Sequence, residues 1–393
     1  MKTLLVLAAS EHQIPVIRAG KALGARVLTT DNRPDNPGHK LADQAFGIDT
    51  TAPDEVLELA RQQGIDGIIS ACTDVAVPTA AHVAEQLGLP GIPLKSAITC
   101  TDKLLFRQFL DEIGLPNPQW REVRDGQTAP TDLLEDGLCA IKPARSSGSK
   151  GIFVVNSAAE LAERLPQTMA FCRDGRAVLE RWIDGQQGTV EGVLEDGKVL
   201  WGMVTHRITA PLPHTATWGH VVPSGLSDEV IERLRDVINR LFTALQITDG
   251  PFDCDFVVTG DQAYILEMSP RLGGNALSAL ARLAADVDLP EYATRSALGL
   301  PCTFVPQTIR PAAAVLMGVD RAGVLAYDTD AVDTIRALPW VAQLILDKQP
   351  GDQVQPFING RHRVAAALIT APDPQTLQSR SDELKARLQI RAE

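Results

Sequence analysis

Residues 250–275 constrain the fold of this chain most, because they predict two β-strands, a turn and an irregular loop in immediate succession. Residues 252–258 and 263–268 are largely apolar. The Thr-Gly-Asp-Gln sequence between them has the glycine and aspartate chemistry of a hairpin turn. We therefore expect an antiparallel hairpin at this point of the chain.

The predicted hairpin brings acidic side chains together. Asp253 and Asp255 are two residues apart, so they share one face of the first strand. Glu267 follows Asp255 by twelve residues, which places these two side by side. Neighbouring carboxylates repel unless a cation lies between them, and a divalent ion such as Mg²⁺ prefers oxygen ligands. The alternative is a hairpin whose acids face water.

The loop after the hairpin adds groups suited to an anion. Arg271 supplies a fixed fork of donors for phosphate or carboxylate, or alternatively makes an ordinary ion pair. Gly273 and Gly274 let the backbone approach a ligand closely.

Composition bounds the kind of protein. A chain of 393 residues has room for two or three domains, and 45% hydrophobic residues are typical of a globular protein. The net charge of −12 argues against a nucleic-acid partner and an anionic membrane surface. Six scattered cysteines without a CxxC pair favour a reducing cytoplasm. The first ten residues predict a buried strand rather than a signal peptide, because Glu11 and His12 follow at once.

The first hundred residues alternate between apolar strands and helices, which predicts a parallel sheet covered on both faces. Ligands in such sheets lie at the carboxyl ends of strands. Asp31 and Asp74 fall there, with a helix cap as the alternative role for each. No GxGxxG follows the first strand, so a dinucleotide site is not indicated. The predicted strands are 3–9, 26–30 and 67–70, and the predicted helices are 14–23, 56–63 and 77–87.

Basic and flexible groups follow in the middle of the chain. A helix is predicted to open at residues 99–103, with Thr101-Asp102 as its cap, and to run to about residue 113. Lys103 lies in its first turn, where its charge opposes the helix dipole. Lys142 ends a strand predicted over 138–142, and the small, donor-rich run 146–151 can fold over phosphates. The stretch around His206, Arg207 and residues 218–220 is expected to be irregular, and residues 228–245 to be helical.

Taken in order, these segments resemble the ATP-grasp superfamily, and specifically its carboxylate–amine (amino-acid) ligase branch. Biotin carboxylase, carbamoyl-phosphate synthetase and D-alanine–D-alanine ligase belong to the same superfamily. The resemblance implies an α/β ATP-grasp fold with an N-terminal Rossmann-like parallel-sheet domain and a small C-terminal α/β subdomain. The implied boundaries are 1–100, 101–305 with a lid at about 116–184, and 306–393.

The resemblance also implies residue roles. It assigns magnesium or manganese to Asp255 and Glu267, with Ser269 where the family often has asparagine. Gln187 stands where the family often has a ribose-binding acid. Arg271 and Lys142 are the implied catalytic residues, and the substrate contacts are Arg271, Gly273, Gly274 and His220. The implied ATP contacts are Lys103, Lys142, Ser147, Gly148, Ser149, Glu180, Arg181, Ile183 and Gln187.

The implied activity is an ATP-dependent ligase that joins a small carboxylate to a small amine through an acyl phosphate. It would release ADP and phosphate in the cytoplasm, as a possible homodimer. The alternatives are a carboxylating or formylating member of the superfamily and an ATP-binding regulatory protein without turnover. Neither His206 nor His220 is a strong candidate for a general base. Arg361 and Arg363 lie in a predicted turn, either solvated or in contact with an anionic substrate.

Overall fold

The computed structural model describes residues 1–302 and 308–393, so the boundary predicted between residues 305 and 306 lies outside the described residues. Helices α1–α11 span, in order, Ile14–Ala22, Pro53–Gln63, Val77–Leu87, Leu94–Thr101, Lys103–Glu112, Ala158–Met169, Asp228–Leu245, Leu277–Ala285, Leu289–Ala297, Thr329–Arg336 and Pro374–Leu388. Strands β1–β19 span, in order, Thr3–Leu7, Arg26–Thr30, Gln44–Phe46, Gly67–Ile69, Trp120–Arg124, Cys139–Pro143, Phe153–Val155, Arg176–Arg181, Gln186–Glu195, Lys198–Thr209, Thr217–Val222, Gly250–Thr259, Gln262–Ser269, Ala312–Met317, Gly323–Ala326, Val341–Leu346, Gln353–Val354, Ala365–Thr370 and Arg391–Ala392.

The N-terminal part contains the predicted parallel sheet, with strand order β3-β2-β1-β4. All five residues of β1 are buried, because helices cover both faces of a sheet of this kind. The predicted strand 26–30 and helix 77–87 are confirmed to the residue. The short strand β3 was not predicted, since only three residues pair with β2 and they are mostly exposed.

An antiparallel sheet of eight strands forms the centre of the molecule, with order β13-β12-β9-β10-β11-β14-β18-β16. Residues paired across antiparallel strands project from the same face. Two rows of such pairs cross neighbouring strands of the sheet, and they consist of Glu267, Asp255 and Thr189 in one row and Ser269, Asp253 and Glu191 in the next. Polar groups distant in sequence are therefore collected on one face.

A second antiparallel sheet, β5-β8-β6-β7, lies in the part of the chain that was predicted to be the lid. Its strands and α6 pack around a core that includes Ile141, Leu161 and Leu179. The donor-rich run 146–151 connects β6 to β7, as predicted. We retain the division of the chain into three domains as a proposal.

The helix predicted from residue 99 to 113 is wrong in one respect, because two helices meet there. Helix α4 ends at Thr101, and Asp102 adopts an extended conformation with φ −128°. The Asp102 carboxylate accepts hydrogen bonds from the backbone N–H groups of Leu104 and Leu105, so it caps α5. The cap places Lys103 at the first position of α5.

The irregular stretch predicted around residues 206–220 is wrong at both ends, although residues 210–216 lie between two strands. Strand β10 continues through His206 and Arg207 to Thr209, and β11 contains His220. Arg207 and His220 are partners in the register between these strands. Pairing with neighbouring strands stabilises this polar sequence in the extended conformation, although its own residue types did not indicate it.

The C-terminal part is continuous with the central sheet rather than separate from it. Strand β14 pairs with β11, and β18 and β16 extend the same sheet. Helices α10 and α11 pack on these strands through Ile335, Leu377 and Leu384. Among the described residues, no helix is long and apolar enough to cross a membrane.

Candidate active site

The hairpin places its acids as predicted. In the register of β12 and β13, Asp255 lies opposite Glu267 and Asp253 lies opposite Ser269. The side chains of Asp255 and Glu267 are 23% and 33% exposed. Both line a cavity of about 410 Å³ rather than the open surface. The alternative of acids facing bulk water is therefore wrong.

A cation accompanies each of these two carboxylates. Arg207 Nη1 donates a hydrogen bond to Asp255 Oδ2 at 2.7 Å, and Lys103 Nζ donates one to Glu267 Oε1 at 3.1 Å. Thr189 Oγ1 also donates to Asp255 Oδ1, at 2.6 Å. Arg207 had no assigned role in the sequence analysis. The register of β10 with its neighbouring strands places the Arg207 side chain on the same face as the acids, and this register was not predicted from the sequence.

The oxygen donors of the site fit a magnesium ion that also contacts phosphates. Within residues 1–302 and 308–393, no group of three or more His, Cys, Asp or Glu side chains is arranged to hold a metal. Asp255 and Glu267 offer two neighbouring carboxylates on the cavity wall. Mg²⁺ typically takes one or two protein carboxylates and completes its octahedron with water and phosphate oxygens. Ser269 is nearby, but its hydroxyl donates to Asp74 at 2.9 Å.

Arg271 reaches the same cavity from the loop after β13. Its Nε and Nη2 both donate to Asp74 Oδ1, at 2.9 and 2.6 Å, and its Nη1 lies 3.8 Å from Asp253 Oδ1. Arg271 therefore makes the ion pair that was the alternative to a ligand contact, but it does so within the cavity wall. Asp74 acts as this partner from the carboxyl end of the N-terminal sheet, where the sequence had placed it.

The two glycines after Arg271 differ. The Gly273 N–H donates to both carboxylate oxygens of Glu191, at 3.0 and 2.9 Å, so it already has an acceptor inside the protein. Gly274 lines the cavity, and a Cβ built at this position meets nothing within 4 Å. Of the two, Gly274 remains the proposed donor to a substrate oxygen.

A buried charged network lies behind Lys142. Lys142 Nζ donates to Glu180 Oε1, and Arg107 Nε donates to Glu180 Oε2 at 2.9 Å. Arg107 also donates to the carbonyls of Ile265 and Leu266. Burial alone would raise the pKa of Glu180, but the charges of Arg107 and Lys142 outweigh it and lower this pKa to about 2. Arg107 was missed, because charged residues on a helix are normally solvated.

The network makes a prediction about pH. The folded pKa of Glu180, about 2, lies below its ordinary value of 4.5, so the ionised group stabilises the folded state above pH 4.5. That stabilisation, about 3 kcal/mol, should be lost as the pH falls from 4.5 towards 2. Urea unfolding of the wild type and of Glu180→Gln measures it. The stability difference between the two proteins should shrink on acidification, and a difference independent of pH would contradict the assignment.

The donor-rich run 146–151 between β6 and β7, which we call the flap, is hydrogen-bonded to other parts of the protein. Gly360 N–H donates to the Gly148 carbonyl at 3.0 Å, and Ser149 Oγ donates to the Thr215 carbonyl at 3.1 Å. Lys103 Nζ also donates to the Ser146 carbonyl at 2.8 Å. The C-terminal part, β10–β11 and α5 therefore all hold the flap over the cavity.

His220 is buried against the same cavity. Only 1% of its surface is exposed, and its Nδ1 lies 3.1 Å from Thr205 Oγ1. Nε2 is a buried atom that finds no hydrogen-bond partner among the described residues. Burial and then the charge of Arg207 lower the pKa of His220 to about 3, so the imidazole is neutral near pH 7.

The cavity brings together most of the predicted site residues. Glu180, Arg181, Ile183 and Gly273 are not on the wall that the described residues form. Arg181 N–H donates instead to the Gln119 carbonyl, at 2.8 Å. The predicted residues that do line the cavity are Lys103, Lys142, Ser147, Gly148, Ser149, Gln187, His220, Asp255, Glu267, Ser269, Arg271 and Gly274.

Family profiles match three successive parts of the chain. An ATP-grasp N-terminal domain matches residues 17–91, and an ATP-grasp domain matches residues 137–279. Residues 318–393 match the L-amino acid ligase C-terminal domain 2. The profile matches therefore agree with the order of parts that the sequence suggested.

Individual proteins are also similar to most of this chain. An uncharacterised protein of Sinorhizobium fredii is 31% identical over 336 residues, covering 83% of this chain and 69% of that protein. A formate-dependent phosphoribosylglycinamide formyltransferase of Rhodococcus jostii is 28% identical, covering 98% and 94%. The crystal structure of an L-amino acid ligase from Bacillus licheniformis superposes with a TM-score of 0.85 at 18% identity, covering 100% and 99%. The chain thus belongs to the ATP-grasp family and is related to its ATP-dependent carboxylate–amine ligases.

Proposed function

We propose that this protein is an ATP-dependent ligase that joins a small carboxylate to an amine and releases ADP and phosphate. The observation that carries the proposal is the pairing of Asp255 with Glu267 beside Lys103, Lys142 and Arg271 in one cavity. The match of residues 318–393 to an L-amino acid ligase domain supports an amino acid as one substrate.

The chemistry requires charge neutralisation on both reactants. ATP with Mg²⁺ supplies the phosphoryl group, which converts an unreactive carboxylate into an acyl phosphate with a good leaving group. Asp255 and Glu267 would hold the metal, which would neutralise charge on the phosphates. Lys103 and Arg207, which donate to these carboxylates, and Lys142 on β6 would add positive charge beside the phosphates. Each residue acts by position and charge rather than by bond formation.

The second half of the reaction is attack of the amine on the acyl carbon. In this proposal Arg271 and the N–H of Gly274, two residues that line the cavity, stabilise the oxyanion that develops there. The flap excludes water, which would otherwise hydrolyse the acyl phosphate. His220 offers a neutral Nε2 to a substrate group and, with a pKa of about 3, does not serve as the general base.

A formyltransferase is the second candidate, because the relative in Rhodococcus jostii bears that name over nearly the whole length of both chains. The two activities differ in the carboxylate, which is formate in one and an amino acid in the other. ADP release is therefore measured with pooled amino acids, and separately with formate plus phosphoribosylglycinamide. ADP formation that depends on amino acids supports the ligase. Tight ATP binding without turnover on any acceptor would contradict both and favour a regulatory protein.

Replacement of Arg361 can test whether one substrate is an anion. Its side chain lines the cavity and makes no salt bridge within the described parts of the chain, whereas Arg363 is held by Asp347 at 2.6 and 3.0 Å. Lys150 lies close enough for the Arg361 charge to contribute to lowering its pKa, after burial. Two cavity-lining cations that make no salt bridge within the described residues are suited to a substrate carboxylate or phosphate.

Arg361→Ala should therefore raise the KM of one substrate by about tenfold, the order expected for one charge-assisted hydrogen bond, with the KM of ATP unchanged. Arg336→Ala, on exposed α10, is the matched control. Unchanged KM values for every substrate would assign Arg361 to a solvated turn.

A further inference from the structure

A second pair of carboxyl groups lies beneath the loop that carries Arg271. Glu191 on β9 and Asp253 on β12 are partners in the sheet register, so their side chains project from the same face. Glu191 is fully buried. Neither the predicted metal site nor the nucleotide contacts require Glu191.

The pair is bonded to the loop rather than open to a ligand. Both oxygens of Glu191 accept the Gly273 N–H, and Oε1 also accepts the Ser278 hydroxyl at 3.3 Å. Asp253 Oδ1 lies 3.8 Å from Arg271 Nη1. Glu191 therefore connects the central sheet to the loop and to the start of α8.

The fit leaves no space at Gly273. A Cβ built on this residue would overlap both Asp253 Oδ2 and Glu191 Oε2, far inside van der Waals contact. A glycine at this position thus lets the loop lie directly on the carboxyl pair. Since Arg271 is two residues earlier, the position of its guanidinium depends on the same contact.

We infer that Glu191 is a positioning residue for the ligase reaction, which sets the place of Arg271 and Gly274 against the acyl phosphate through its hydrogen bonds to the Gly273 N–H. The Ser278 hydroxyl, at the start of α8, also donates to Glu191 Oε1 and so helps to fix the carboxylate. Glu191 acts through this fixed geometry and not by contact with the reacting atoms.

The inference rests on the proposed function, and conservative replacement tests it. In Glu191→Gln, the amide oxygen still accepts the Gly273 N–H, and the side chain keeps its length and shape. Glu191→Gln should keep ADP formation and ligated product within about threefold of wild type. Glu191→Ala should form ligated product about 10²-fold more slowly, the loss expected when a reacting group is misplaced by about 1 Å. Its KM for ATP should be unchanged.

The ratio of ligated product to ADP separates positioning from general stability. Displacement of Arg271 leaves the acyl phosphate to water, so Glu191→Ala and Gly273→Ala should release ADP without equivalent product. If thermal unfolding shows that Glu191→Ala is not folded, Gly273→Ala provides the same test. Equal losses of ligated product in Glu191→Gln and Glu191→Ala would overturn the inference. So would a ratio of ligated product to ADP in Gly273→Ala that equals the wild-type ratio. A wild type that forms no ADP with any substrate pair would instead refute the proposed function.

Discussion

Replacing Glu267 with glutamine should reduce ADP formation by about 10³-fold, the largest effect on activity that we expect from a single change. The amide has the size of the carboxylate but no charge, so Mg²⁺ would lose one of the two carboxylates that the protein offers. Lys103, which donates to Glu267 Oε1 at 3.1 Å, would also lose its counter-charge. ADP release under saturating ATP measures the loss.

Glu232→Gln is the matched control, since this glutamate lies on the exposed face of α7. It should leave ADP formation unchanged. A folded Glu267→Gln protein with more than a tenth of wild-type activity would remove Glu267 from the metal site.

Replacing Arg107 with methionine should lower the free energy of unfolding by about 3–5 kcal/mol, the cost of breaking a buried ion pair from one side. Arg107 is 1% exposed. Its guanidinium donates hydrogen bonds to Glu180, to Asn117 and to the carbonyls of Ile265 and Leu266. Methionine retains the apolar stem but leaves these acceptors without their donor. Lys142 would still donate to Glu180.

Urea unfolding followed by tryptophan fluorescence measures this change. Arg240→Met, on the exposed face of α7, is expected to change stability by less than 1 kcal/mol. A loss below 1 kcal/mol for Arg107→Met would mean that the network contributes little to stability.

Local patterns were sufficient for the hairpin and for α7. The Gly-Asp turn sets the register from Thr259 and Gln262 as far as Phe256 and Ile265, and a β-bulge between Asp255 and Phe256 then brings Asp255 opposite Glu267. The helix predicted over residues 228–245 is confirmed to the residue, since its apolar positions repeat at helical spacing. The acids of the site were found because they lie within one hairpin, although the bulge that aligns them was not predicted.

Long-range partners were not accessible in this way. Arg107 meets Glu180 across 73 residues, and Glu191 meets Gly273 across 82. Arg207 was hidden because the strand that contains it is defined by its neighbours in the sheet, not by its own composition. The predicted cap at Asp102 is confirmed, but the separate helix α4 that ends just before it was not predicted.

The central claim is that Asp255 and Glu267 together hold the metal ion that accompanies ATP. A crystal structure with Mg²⁺ and a non-hydrolysable ATP analogue tests this claim without knowledge of the other substrates. The account predicts a metal ion that binds an oxygen of each carboxylate and of the phosphates, with Arg207 and Lys103 moved from the positions where they now donate to these acids. A nucleotide bound in the cavity with its metal in contact with neither Asp255 nor Glu267 would contradict it.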